Sequence, residues 1–113
     1  MSKIKKVLWF SRHEMSQDQK TELQRIYGNI SITQVNKTIQ SAHELKDDIN
    51  NYDIIAIVAP IHLQQQFLKI AKDKPIISCR NKRVFDPADN TKVNFVFDGW
   101  YQIVKIEVVT KDL

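Results

Sequence analysis

Glycine is nearly absent: Gly28 and Gly99 are the only two in 113 residues. Neither the glycine-rich dinucleotide fingerprint nor the P-loop can be built from them, because both need closely spaced glycines to bring backbone onto phosphate. Cysteine is scarcer still. Cys79 stands alone, which excludes an internal disulfide and any site made from several thiolates. Its place in the apolar run Pro75-Ile76-Ile77-Ser78-Cys79 suits a buried, inert thiol better than a nucleophile. The three histidines lack the spacing and paired carboxylates of a zinc site, and no nucleophile elbow is present. No apolar run approaches the length of a membrane span, and the N-terminus lacks a secretory hydrophobic region. The expectation is a cytoplasmic protein, off the membrane and without a cofactor.

Charge of one sign is also modest. Seventeen basic and 13 acidic side chains leave a formal net charge of +4. That excess attracts anions in general, but no predicted helix carries a basic face, so sequence-specific DNA binding is not expected. Lys3, Lys5 and Lys6 read as a solvated edge. Hydrophobic residues make up 42% and charged ones 27%, which places the chain with folded domains rather than disordered segments.

The pattern that is present is a strand-helix alternation. Lys5 to Phe10 is a short, continuous apolar run of the kind found in buried parallel strands, with Trp9 and Phe10 directed to opposite faces. Ser16-Gln17-Asp18-Gln19 is a capping box opening a helix with Leu23, Ile26 and Tyr27 on its apolar stripe, and Gly28 stops it. Ile30 to Val35 alternates as a half-buried edge strand. Ser41-Ala42-His43-Glu44 opens a second helix with Leu45, Ile49 and Tyr52 on one stripe and His43 on the surface. Ile54 to Ala59 is the strongest strand, ended by Pro60. His62 to Lys72 is helical, with Leu63, Phe67, Ile70 and Ala71 inward. Pro75 to Cys79 is a fourth strand, from whose end Arg80-Asn81-Lys82-Arg83 emerges. After a turn at Asp86-Pro87-Ala88-Asp89-Asn90, the runs Val93–Phe97 and Tyr101–Val109 flank Asp98-Gly99, a hairpin signal.

These elements predict one α/β domain over residues 1–113. Residues 1–82 form a βαβαβαβ core and 83–113 a C-terminal antiparallel hairpin. The sheet is doubly wound, mostly parallel and Rossmann-like, in the order 2-1-3-4, with the helices after strands one and three on opposite faces. Ligands of such sheets bind in the crevice at the C-terminal ends of strands one and three. Strand one delivers Ser11, Arg12 and His13 there, and strand three delivers Pro60, Ile61 and His62 with Gln64 behind. Strand two adds Asn36 and Lys37, and strand four adds Arg80, Asn81 and Lys82. Most of these groups are cationic or donors, and two helix N-termini are expected to point the same way, so a phosphate-bearing ligand fits best. Ser11 can act as a nucleophile with His13 as base, or bond a ligand or its own loop. His62 can serve the site or cap its helix.

Phe10-Ser11-Arg12-His13 followed by Ser16-Gln17-Asp18-Gln19 resembles the opening of small CRISPR-associated proteins of type III systems. Those proteins begin with a short strand ending in an aromatic-Ser-His-like signature. Several of their relatives are Rossmann-like dimers that bind or cleave cyclic oligoadenylates, the ring nucleases. The resemblance covers about the first 20 residues and is looser at Asp53 to Cys79 and at Lys105-Ile106-Glu107-Val108-Val109. Arg12, between Ser and His, departs from the pattern. The resemblance implies cleavage in which a ribose 2′-hydroxyl attacks its own 3′-phosphodiester. Arg12, Lys37, Arg80 or Lys82 then supplies charge and His13 accepts the proton. A ligand with two-fold symmetry implies a homodimer, with Trp100 and Tyr101 as candidate interface aromatics or, equally, members of a satellite core. Three readings stay open: a ring nuclease, a non-catalytic binder of a nucleotide or signal molecule, and a defence-modulating interaction protein of a mobile element.

Overall fold

The computed structural model describes residues 3–71, 73–89, 91–107 and 109–113. It is an α/β protein with one five-stranded sheet in the order β2-β1-β3-β4-β5. β1 (Lys5–Phe10) lies between β2 (Ile30–Val35) and β3 (Ile54–Ile57), parallel to both. β4 (Ile76–Phe85) continues the parallel set beside β3, and β5 (Val93–Gln102) closes the sheet antiparallel to β4. The expected order 2-1-3-4 is therefore observed, with the antiparallel strand added at the β4 edge.

Alternation along β1 feeds two separate cores. Val7 and Trp9 pack with Met15, Leu23, Ile54, Ala56 and Ile77 under α1 (Gln17–Tyr27). Leu8 and Phe10 pack on the other face with Leu45, Ile49, Ile55, Ile57, Leu63 and Phe67, under α3 (Ile61–Ile70) and the short helices before β3. Helices following β1 and β3 thus cover opposite faces, the condition that opens a crevice between the two strand ends. Burial of each large side chain such as Phe67 or Trp9 contributes roughly 1.5–3 kcal/mol, and these residues hold the strand ends in place.

Local chemistry sets the helix ends. Ser16 Oγ accepts from the Gln19 amide at 3.2 Å, while Gln19 Oε1 accepts from the Ser16 amide at 2.8 Å. Gly28, at φ 82°, ends α1 and donates to the Gln24 carbonyl at 2.8 Å. Ile26 is exposed, so the inward stripe of α1 reduces to Leu23 with Tyr27. The second expected helix is a 3-10 helix, Ala42–Leu45, running into a single turn, α2 (Lys46–Ile49). Its stripe of Leu45, Ile49 and Tyr52 does face the core.

Three expectations are corrected at the C-terminal side. The fourth strand does not stop at Cys79; it runs ten residues to Phe85 and carries Arg80, Asn81, Lys82 and Arg83 within it, across the expected 82/83 boundary. Asp98-Gly99 is not the hairpin turn. The hairpin connection lies between Phe85 and Val93, where the turn at 86–90 is expected, and Asp98-Gly99 lies inside β5 where the register shifts between Cys79 and Asn81. Gly99 has φ 102°, a conformation suited to glycine, so the pair builds a bulge. The described residues after Gln102 carry no strand; Ile103 folds into the core and Ile106 packs against it. Lys72, Asn90 and Val108, which fall within the expected last helix, turn and last strand, lie outside the described residues.

Trp100 belongs to the core rather than to a free surface. It packs edge-on against Trp9 at 5.8 Å between ring centroids, and its indole N–H donates to the Gln19 carbonyl at 3.0 Å. Among the described residues, no helix is long and apolar enough to cross a membrane.

Candidate functional site

Beyond the C-terminal ends of β1 and β3 lies a pocket of about 420 Å³, within the usual size range of small-ligand sites. Its lining draws Ser11, Arg12 and His13 from the end of β1, Lys37 and Thr38 from the loop after β2, and Pro60 and His62 from the start of α3. Phe10, Val35, Ile39, Val58 and Leu63 supply an apolar floor. No carboxylate is among these lining residues.

The β1 wall is held by four hydrogen bonds. The Ser11 amide donates to the Val35 carbonyl at 3.3 Å, extending the β1–β2 ladder by one residue. Gln34 Nε2 donates to the Ser11 carbonyl at 3.0 Å. The His13 amide donates to Ser11 Oγ at 3.1 Å, closing a tight serine turn. Trp9 Nε1 donates to the His13 carbonyl at 2.8 Å. Ser11 is buried, with 6% of its surface exposed, so its hydroxyl is committed to shaping the loop. His13 and Arg12 are exposed beside it. Arg12 Nη2 donates to Thr38 Oγ1 at 3.0 Å, which leans the guanidinium across the pocket mouth toward the β2 loop.

The opposite wall is a helix start. Pro60 is the N-cap of α3, no side chain caps it, and no acidic residue lies in the first turn. Leu63 and Gln64 amides both donate to the Pro60 carbonyl at 3.0 Å, which leaves those of Ile61 and His62 at the open end. That end carries the positive pole of the helix and unsatisfied donors, a combination suited to an anion.

The topology thus gathers Ser11, Arg12, His13, Lys37 and His62 around one pocket. It does not bring the other expected residues there. Asn36 is exposed outside the lining. Gln64 Nε2 donates to the Ala59 carbonyl at 2.9 Å, sealing the end of β3. Arg80 sits over the Tyr101 ring at 5.4 Å, and Lys82 faces Asp98 at 3.9 Å, both on the β4–β5 ribbon together with Asn81. Their displacement follows from the continuation of β4, which carries them away from the rim. The start of α1 is likewise closed by its own capping box and lies outside the pocket lining, so one free helix N-terminus serves the pocket instead of two. Thr38, Gln34 and the Trp9 indole were not singled out in the sequence, since neutral donors and acceptors carry no charge pattern to flag them.

Two groups are electrostatically tuned, one beside the pocket and one away from it. Glu44 accepts from the amides of Gln40 at 2.8 Å and Ser41 at 3.1 Å. These bonds, in that order, with a weaker pull from Lys37, hold its carboxyl below its ordinary value. Burial pushes the Cys79 thiol up, opposed by the Gln19 amide donating to its sulfur at 3.7 Å. Cys79 is half-buried and well apart from the pocket lining, in keeping with an unreactive thiol. A second depression, at the opposite end of the sheet, mixes Lys3, Lys5, Lys6 and Lys74 with Asp53 and Asp73. Two of these charges are engaged locally: Asp53 accepts from the Lys6 amide at 2.8 Å, and Lys74 Nζ donates to the Ile49 carbonyl at 2.6 Å. Among the described residues, no cluster of three or more His, Cys, Asp or Glu side chains could hold a metal ion.

Comparison with protein-family models, with curated proteins and with solved structures gives no match.

Proposed function

We propose that this protein binds a phosphate-bearing nucleotide in the pocket between Ser11-Arg12-His13 and Pro60-Ile61-His62. The observation that carries this reading is the chemistry of the lining: Arg12, Lys37, His13, His62 and an uncapped helix N-terminus surround one pocket without a carboxylate. An anion gains from every one of these groups, and a phosphate can accept from several at once. The apolar floor of Phe10, Val35, Ile39, Val58 and Leu63 suits a nucleobase.

A cyclic oligoadenylate is the first ligand to test. The resemblance of Phe10-Ser11-Arg12-His13 and Ser16-Gln17-Asp18-Gln19 to small CRISPR-associated proteins of type III systems supports this choice. It also supports a role in antiviral defence. The single free cysteine fits a cytoplasmic setting.

Cleavage is the second reading, favoured by imidazoles on opposite walls of the same pocket. In that reaction a ribose 2′-oxygen forms a bond to the adjacent 3′-phosphorus as the bond to the 5′-oxygen breaks. His13 takes the 2′-hydroxyl proton, and His62 returns one to the leaving 5′-oxygen. Arg12, Lys37 and the α3 amides stabilise the extra negative charge on the phosphorane. The products are a linear strand end bearing a 2′,3′-cyclic phosphate and a free 5′-hydroxyl.

Thermal-shift measurements with cyclic oligoadenylates and mononucleotides test the binding reading, which fails if none raises the melting temperature. Incubating a bound ring with wild type and His13→Ala then tests the chemistry. Cleavage by wild type that is lost in the variant while binding persists supports it. An intact ring after incubation with wild type leaves a binder.

A further inference from the structure

The free edge of the sheet presents a self-complementary sequence. β5 has β4 on one side and, among the described residues, no strand on the other. Natural proteins guard such edges with lysine, proline or short strands. The segment Val93-Asn94-Phe95-Val96-Phe97 has none of these and no ionic side chain. Phe95 is 69% exposed, and Val93 and Val96 are exposed beside it. A chain of this length packed into one globule has a radius of gyration of about 13 Å. The observed 16.2 Å reflects in part a β4–β5 ribbon extending beyond the helices.

The backbone phase of this edge can be read from the ladder. The Asp86 amide donates to the Lys92 carbonyl at 3.2 Å, and the register pairs Val84 with Asn94 and Lys82 with Val96. Hydrogen-bonded pairs alternate along an antiparallel ladder, so Lys92, Asn94 and Val96 turn their main chain toward β4. Val93, Phe95 and Phe97 turn theirs outward.

We propose that β5 is a homodimerisation edge, pairing antiparallel with β5 of a second copy about a two-fold axis at Phe95. In that register Phe95 exchanges both main-chain hydrogen bonds with Phe95 of the second copy, and Val93 does so with Phe97. The side chains of these residues share one sheet face, so six apolar groups meet across the axis. One step further out, Lys92 of each copy stands opposite Asp98 of the other. An axis at any other residue breaks this charge match. Within one chain and among the described residues, the ion pair of Asp98 is with Lys82, at 3.9 Å with both side chains well exposed, a weak pair that leaves the carboxylate available. The Asp98-Gly99 bulge disrupts the ladder beyond Asp98 and so ends the pairing there. This dimer stands independently of the nucleotide reading. It leaves β4 and β5 between the axis and each pocket, so the two pockets remain separate rather than meeting across the axis.

Sedimentation equilibrium of the full chain over the micromolar to millimolar range tests the pairing. A dimer is expected for wild type and a monomer for Phe95→Lys, whose new charges face each other across the axis. Lys92→Asp and Asp98→Lys each place like charges together and weaken the dimer by about tenfold or more, and combining them restores it. Circular dichroism of each variant separates loss of pairing from loss of fold. A wild-type monomer throughout this range overturns the proposal and leaves the edge to another protein's strand. A dimer indifferent to Phe95→Lys, or one that the double reversal fails to restore, overturns the register.

Discussion

The Trp9 indole N–H donates to the His13 carbonyl at 2.8 Å, tying a fully buried core side chain to the rim of the pocket. Trp9 also packs against Trp100, so the position of His13 depends on both the sheet and the α1-side core. Packing and site geometry are therefore coupled through one hydrogen bond.

Trp9→Phe keeps an aromatic ring but removes the donor. Urea denaturation is expected to show a loss of about 1–3 kcal/mol, the cost of a missing hydrogen bond with some loss of packing. The amides of 11–13 should exchange faster with solvent. Trp100→Phe removes a comparable indole donor, to Gln19, and should leave those amides unchanged.

Much of this architecture was legible because β1 and β3 are continuous apolar runs whose side chains must go to two covered faces. The capping box at Ser16 likewise fixed the start of α1. The hairpin was not legible in the same way. Asp-Gly serves both a tight turn and a bulge, since both exploit the positive φ open to glycine. A turn was legible at 86–90, but without that dipeptide nothing marked it as the hairpin connection. Arg80 to Arg83 read as a loop because they are polar, yet they are strand residues on a ribbon that has left the core. At the site, the charged members were visible and their distribution was not. Arg80, Asn81 and Lys82 go with the ribbon, while Thr38 enters the pocket through its bond to Arg12.

Arg12 and Lys37 supply the fixed positive charge of the pocket. Arg12→Gln and Lys37→Gln are each expected to weaken nucleotide binding by about 10- to 100-fold, the worth of one hydrogen bond to a charged group. Isothermal titration calorimetry at two salt concentrations checks this. The variants should also show a shallower loss of affinity as salt rises. Lys82→Gln, on the ribbon, should leave binding unchanged.

The Glu44 carboxylate ties down the loop that carries Thr38 and Ile39 by accepting from the Gln40 and Ser41 amides. Its folded-state value lies below the ordinary 4.5, so the folded form binds its proton less readily than the unfolded chain does. The stabilisation is therefore complete above the ordinary value and is lost as pH falls through the lowered one. Carboxyl-detected NMR titration should place the Glu44 midpoint below 4.5, with the Gln40 and Ser41 amides shifting upfield in step. In Glu44→Gln those amides should no longer follow such a titration.

In the proposed binding mode, the open end of α3 and the Ser11-Arg12-His13 turn hold one phosphate-bearing ligand between them. The most direct measurement is an amide NMR titration of the full chain with a nucleotide that raises its melting temperature. The largest shifts are expected at Ile61, His62, Arg12 and His13, with the Ile61 and His62 amides moving downfield as they donate to phosphate. Saturable shifts confined to the ribbon, or to the Lys3–Lys6 end of the sheet, would contradict it.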